Sequence, residues 1–267
     1  MELATLTDKL PRYFSDAQNA ELERNQLYSR MGGKCPVCRG TGEYRYNGET
    51  HECPDDDFGH PVLRLFKLYC LANLPLEYQS LDWNHYPSEE WKEKADKYVE
   101  NYESARLSGV GWHVSGKKLG VGKTWLAVHI LKQVLLMGYT GWFIPFMALK
   151  SLFEMEDARE RDRILDKVMN SEFVVIDDVL KPRSDKMRGF FEDKLEEVVR
   201  HRTSNNLPTA TTTNMEEQME EEFPRVSSLL SAKQFMVALD GTDYRSDAAW
   251  ISNEELVLNG EVRPLTW

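Results

Sequence analysis

The chain has 267 residues, enough for one mid-sized domain plus a small appendage, or for two compact domains. Hydrophobic residues make up 41% and charged residues 29%, the balance of a globular chain with a real core, which excludes wholesale disorder. The 44 Asp and Glu against 33 Lys and Arg leave a net charge of −11, which argues against a protein gripping nucleic acid through a general basic surface; one local basic stripe stays compatible with it.

Residues 1–30 read as a polar helical lead-in, with Leu10-Pro11 breaking a first helix and Ala17 to Arg30 supplying a second. Met1 to Phe14 mixes acids and bases and does not read as a signal peptide. From Lys34 to about His60 the composition turns to Gly, Cys, Tyr, Asp and Pro, without apolar periodicity, so this stretch needs a source of stability other than a core. Residues 61–107 read as a connector: a helix over Val62 to Ala72, an extended passage through Leu74-Pro75, and a charged helix from about Ser88 to Arg106.

After Ser108 the pattern becomes regular. Strands are expected at Val110 to Val114, Gly141 to Ile144, Phe173 to Ile176, Thr209 to Thr213 and Phe235 to Leu239. Helices are expected between them at Thr124 to Met137, within Met147 to Met169, at Met187 to Arg202 and near Val226 to Ala232. Short apolar strands alternating with helices imply an α/β fold, a parallel sheet with helices on both faces. Leu126 to Met137 is the most apolar helical stretch, but it is short and interrupted by His129, Lys132 and Gln133, so no membrane span is expected. The acidic run Glu216 to Glu222 reads as a solvated helix face.

Between the first strand and its helix lies Gly120-Val121-Gly122-Lys123-Thr124, followed by Trp125. This is the context of a phosphate-binding loop: glycines let backbone N–H groups close around phosphates, Lys123 reaches the β and γ oxygens, and the Thr124 hydroxyl can ligate magnesium. Residues 120–125 are therefore the candidate nucleotide-contacting run. The usual first glycine would fall at Lys117, whereas the available one is Gly116; either the loop carries one extra residue or Lys117 stands in that place.

Phe173-Val174-Val175-Ile176-Asp177-Asp178 is an apolar strand ending in two carboxylates, 54 residues beyond Lys123. Asp177 would hold magnesium through water and Asp178 would orient or deprotonate the attacking water, which points to the magnesium side of an NTPase. A strand ending at Thr213-Asn214 offers Asn214 to the γ-phosphate or the water, and Gly241 to Arg245 offers Arg245 as a positive charge on the nucleotide.

These residues resemble the helicase-loader branch of the P-loop AAA+ (ASCE) ATPases, the DnaC/DnaI-like proteins, with the IstB transposition ATPases as relatives. The resemblance runs from about Ala72 to Arg245. It rests on Ala72-Asn73-Leu74-Pro75 and Tyr78, Gly120 to Thr124, Ile176-Asp177-Asp178, Arg202 before Pro208, the Thr-Thr-Asn ending at Asn214, and Gly241 to Arg245. It implies an ATPase that self-assembles, joins a replicative hexameric DNA helicase and helps place it on single-stranded DNA, with Asn214 as sensor-1 residue and Arg245 as sensor-2 residue. A transposition helper is the neighbouring alternative, and an ATP-switched adaptor with little turnover another. Two departures stand out. Leu229 occupies the position, four residues after Arg225, where the family usually has an arginine acting in trans, leaving Arg225 or Arg202 as substitutes. Val179-Leu180 replaces the family's Leu-Gly and precedes Lys181, Arg183, Lys186 and Arg188, a cluster suited to DNA or a neighbouring subunit.

Cys35-Pro-Val-Cys38 and His51-Glu-Cys53 offer a Cys₃His set for zinc, and His60 competes with His51 for the fourth place. Similar segments precede the ATPase module in some phage-type loaders. The expected organisation is therefore 1–60 as lead-in and zinc module, 61–107 as helical linker, and 108–267 as AAA+ ATPase domain. Cys70 lies in an apolar helical pattern and reads as a buried thiol. Four cysteines used in this way point to a reducing cytoplasm, and the resemblance implies a bacterial or phage-infected cell.

Overall fold

A computed structural model describes residues 7–57, 59–179, 185–214, 221, 223–245 and 251–267, with side chains from 192 onward in the stretch that begins at 185. In chain order it runs α1 (Asp16–Arg24), α2 (Gln26–Arg30), β1 (Glu43–Tyr46), β2 (Glu49–Glu52), α3 (Pro61–Leu71), α4 (Leu76–Gln79), α5 (Glu89–Glu100) and α6 (Tyr102–Ser108). It continues with β3 (Gly111–Ser115), α7 (Lys123–Leu136), β4 (Gly141–Pro145), α8 (Phe146–Phe153), α9 (Ala158–Asn170) and β5 (Phe173–Val179). The remainder is α10 (Asp185–Ser204), β6 (Thr209–Thr213), α11 (Pro224–Ser231), β7 (Gln234–Ala238) and α12 (Asn253–Leu258). Lys181 and Arg183, the side chains of Lys186 and Arg188, and the acidic run 216–222 apart from Glu221 lie outside the described residues. Among the described residues no helix is long and apolar enough to cross a membrane.

Two compact units divide the chain. One holds the residues up to His85, Leu135–Gly138 and the described part of Arg245–Trp267; the other holds Tyr86–Val134 and Tyr139–Tyr244. The expected boundaries at residues 60 and 107 differ from this division, and backbone hydrogen bonds supply the reason. In the first unit Val262 N–H donates to Arg45 O at 3.0 Å, Thr266 N–H donates to Gln79 O at 3.0 Å, and Tyr69 OH donates to Thr266 O at 2.6 Å. The buried Glu261 carboxylate also accepts from the N–H groups of Asn47 and Gly48, at 3.0 and 2.7 Å. The C-terminal residues thereby tie the β1–β2 turn to the helices that follow it.

In the second unit β3 to β7 form a parallel sheet in the order β4-β5-β6-β3-β7. Side chains alternate across such a sheet. Trp142, Ile144, Val174 and Ile176 pack on one face against Leu149 of α8, Val168 of α9, Leu195, Val198 and Val199 of α10, and Val226 of α11. Asp177 and Thr212 belong to the opposite face, which α7 approaches through Thr124. Helix α7 is buried almost all round, as a helix covering a sheet must be when its sequence lacks a polar face. The register pairs Ser115 with Thr213 and Ile176 with Thr211, so the ends of β3, β5 and β6 meet along one edge. That carboxyl-terminal edge is where open α/β sheets place ligands.

Candidate nucleotide site and metal cluster

The loop between β3 and α7 begins at Gly116. A Cβ there would fall 2.6 Å from Leu239 O, so only glycine fits at that position. Lys123 and Thr124 start α7 at the far end of the loop. The Lys123 Nζ donates to Gly116 O at 3.0 Å and Lys118 O at 2.8 Å, holding the ammonium across the mouth of its own loop. Thr124 Oγ1 donates to Asp177 Oδ1 at 2.9 Å. Gly122 takes φ +90°, a left-handed conformation that glycine adopts without strain, and it packs beneath the Tyr86 ring. Trp125 is buried with its ring edge-on to Tyr86, centroids 5.6 Å apart.

Asp177 is buried, and burial pushes its carboxyl above the usual range against the opposing pull of the Thr212 and Thr124 hydroxyls. Asp178 is exposed and sits at φ +55°, where the β5–β6 register shifts between Ile176 and Val179. Its carboxylate accepts from Asn214 Nδ2 at 3.0 Å. The structure thus brings Lys123, Thr124, Asp177, Asp178 and Asn214 to one edge. Arg245 is exposed and belongs to the other compact unit.

One participant was not singled out from the sequence. Thr212 Oγ1 donates to Asp177 Oδ1 at 2.7 Å and accepts from Asp178 N–H at 2.8 Å. The signal was strand alternation, since Thr212 lies two residues before Asn214, which follows the end of β6, but reading it required the β5–β6 register.

The substitute arginines separate clearly. Arg202 is fully buried, and donates to Thr209 Oγ1 and to the carbonyls of Val168, Met169, Ser171 and Pro208 at 2.7–3.3 Å. Burial pulls its pKa down to about 9, which still leaves it protonated at neutral pH. Fully buried, with each guanidinium nitrogen bonded inside the fold, Arg202 cannot act on a neighbouring subunit, so the expectation that it substitutes is corrected. Arg225 is about half exposed and paired with Asp193 and Glu196 at 2.8 and 2.9 Å, while Leu229 packs on the core.

In the first unit Cys35, Cys38, Cys53 and His60 offer ligand atoms that all lie within 4.8 Å of one another. The Cys35 and Cys53 Sγ atoms are 3.9 Å apart, and Cys38 Sγ is 3.4 Å from His60 Nε2. Tetrahedral zinc with bonds of ~2.3 Å to sulfur and ~2.0–2.1 Å to nitrogen sets such separations at about 3.8 and 3.6 Å, so the donor set fits. His51, the expected fourth ligand, does not join it. On β2 it pairs with Tyr44, stacks on that ring at 5.4 Å and engages Tyr46 O through Nε2 at 3.1 Å. The Asn47-Gly48 turn, with φ of +52° and +77°, sets this register. His60 comes in as N-cap of α3.

Burial pushes the Cys35 and Cys53 thiols up, and neighbouring thiols push in the same direction. Burial also acts to raise Cys38, but N–H groups of Gly40 and Gly42 outweigh it and the thiol moves down. A divalent cation would reverse the crowding by holding thiolates.

No family model matches the chain, and no curated protein does. Among solved structures, the crystal structure of the DnaC helicase loader aligns with a TM-score of 0.52 at 20% identity, over 62% of this chain and 100% of that one. The chain has the fold of that AAA+ helicase loader. DnaI aligns with a TM-score of 0.51 at 18% identity, over 62% of this chain and 95% of that one. The replication initiator DnaA bound to AMPPCP and single-stranded DNA aligns at 0.52 and 12% identity, over 70% of this chain and 58% of that one. The structural alignments show a shared fold, and the candidate residues above lie where the loop and the strand ends of this sheet converge.

Proposed function

We propose that the chain is an ATP-binding and ATP-hydrolysing loader that places a replicative hexameric DNA helicase on single-stranded DNA. The observation that carries this reading is the contact of Thr124 with Asp177 beside Lys123, in a fold shared with a DnaC helicase loader. Lys123 binds the β and γ oxygens, the N–H groups of residues 120–125 cradle the phosphates, and Thr124 and Asp177 hold magnesium. Magnesium bound with ATP neutralises phosphate charge. Asp178 accepts the proton of the attacking water, and Asn214 orients that carboxylate. The Cys35, Cys38, Cys53 and His60 set holds zinc, and its unit (expected as residues 1–60) docks the helicase. The ATPase domain (expected as 108–267) self-assembles, and the protein works in the cytoplasm.

The test is recovery of partners from the native cell together with ATP-dependent helicase deposition on a single-stranded circle. A hexameric helicase recovered and deposited supports the reading; a transposase recovered instead rejects it in favour of a transposition helper. A second reading, ATP as a switch with little turnover, draws on Arg202 being committed inside the fold and Leu229 being packed on the core. Strong turnover with helicase and DNA together rejects the switch.

A further inference from the structure

A single hydroxyl has one proton to give and lone pairs to receive. Thr212, 2% exposed in the middle of the sheet, uses both capacities on two consecutive residues of the neighbouring strand. It gives its proton to Asp177 Oδ1 and receives the backbone N–H of Asp178. A carboxylate only accepts and an amide N–H only donates, so the direction of each bond is fixed by chemistry.

Two consequences follow for the candidate site. Thr124 also donates to Asp177 Oδ1, so two hydroxyls converge on one carboxylate oxygen, and no described residue donates to Oδ2. The carboxylate is thereby held in one rotation with its second oxygen uncommitted. Asp178, one residue on, carries a side chain at φ +55°, a conformation that persists only where the surroundings hold it. The N–H bond to Thr212 and the Asn214 contact to its carboxylate are what hold it. The bulge between Ile176 and Val179 is therefore pinned from the β6 side: Thr212 sets the Asp177 carboxylate and the Asp178 backbone, and Asn214 holds the Asp178 carboxylate.

We propose that Thr212 is a positioning residue of the nucleotide site, orienting Asp177 towards magnesium and Asp178 towards water. This rests on the ATPase reading above. Valine has the same shape, suits a strand, and removes both bonds. Serine retains both.

The experiment measures affinity for a fluorescent ATP analogue, with magnesium and with EDTA, and turnover at saturating ATP, for wild type, Thr212→Val and Thr212→Ser. Thr212→Val is expected to bind within about twofold of wild type in EDTA, to lose about tenfold or more of the affinity that magnesium adds, and to turn over about 10- to 100-fold more slowly, the scale of a lost hydrogen bond to a charged group. Thr212→Ser is expected to return both quantities to within about threefold of wild type. Magnesium response and turnover unchanged in Thr212→Val overturn the proposal while leaving the ATPase reading intact. Serine failing as badly as valine also overturns it, because packing alone would then explain the site. If Thr212→Val does not fold, Thr212→Ala gives the same readings. A wild-type chain with no saturable ATP binding overturns both, and one that binds without turnover is judged on the magnesium response.

Discussion

The two units hold their candidate sites together by different means. At the nucleotide edge, backbone periodicity does the placing: parallel register brings the ends of β3, β5 and β6 level, and Lys123, Asp177, Thr212 and Asn214 arrive with them. In the cysteine segment the regular structure is a four-residue hairpin pair, and a turn, a strand end and a helix cap have to converge on one point. A site set by a sheet inherits the stability of the sheet's core. A site set by its ligands depends on what the ligands hold.

Metal removal is the largest expected difference between the two. Structural zinc contributes on the order of 10 kcal/mol in small domains. Chelation, or Cys35→Ser, is therefore expected to expose residues 34–60 to protease while β3 to β7 stay protected. About one zinc per chain by elemental analysis should accompany the protected state. Equal protection of both regions after chelation would erase the distinction.

The sheet unit has a staple of its own in Arg202. Arg202→Ala leaves Val168, Ser171 and Pro208 carbonyls without their buried donor, and a loss of about 3–5 kcal/mol in urea unfolding of the second unit is expected. A loss under about 1 kcal/mol would mean that side-chain ligation matters as little there as the comparison first suggests.

A smaller effect comes from His113, which bonds Thr211 inside the sheet at 2.7 Å and whose pKa burial lowers to about 4. The unfolded chain binds this proton near pH 6.5, so the stability present at neutral pH is lost as pH falls from there towards 4. Between pH 7 and 4.5 the loss attributable to this residue is about 2 kcal/mol. It is measured as the difference in pH slope between wild type and His113→Asn, and identical slopes would refute it.

The smallest effect is the sharpest on the metal site. His51→Ala should leave zinc content unchanged, whereas His60→Ala should lower zinc affinity in a competition titration. The reverse result would reassign the ligand.

Much of the sheet unit was legible because strand and helix periods are written in residue order: all five strands appear within a few residues of their expected positions. Strand β5 runs on to Val179 rather than stopping at Ile176, since the bulge at Asp178 lets pairing resume, and no local pattern announces a bulge. Thr212 stood within the expected strand, but its partner is a matter of register. His51 and His60 were equivalent as ligand types, and the Asn47-Gly48 turn, present in the sequence as a hairpin signal, decides between them by turning His51 onto Tyr44. The grouping of residues 251–267 with the first unit was illegible for a further reason: several of its ties are backbone bonds, which no side chain advertises.

The central claim is that the edge formed by Lys123, Thr124 and Asp177 binds ATP. Titrating a fluorescent ATP analogue against wild type and Lys123→Ala tests it most directly. Saturable binding by wild type and a loss of about 100-fold or more in Lys123→Ala are expected, with both proteins folded. Equal affinity in the two would contradict it.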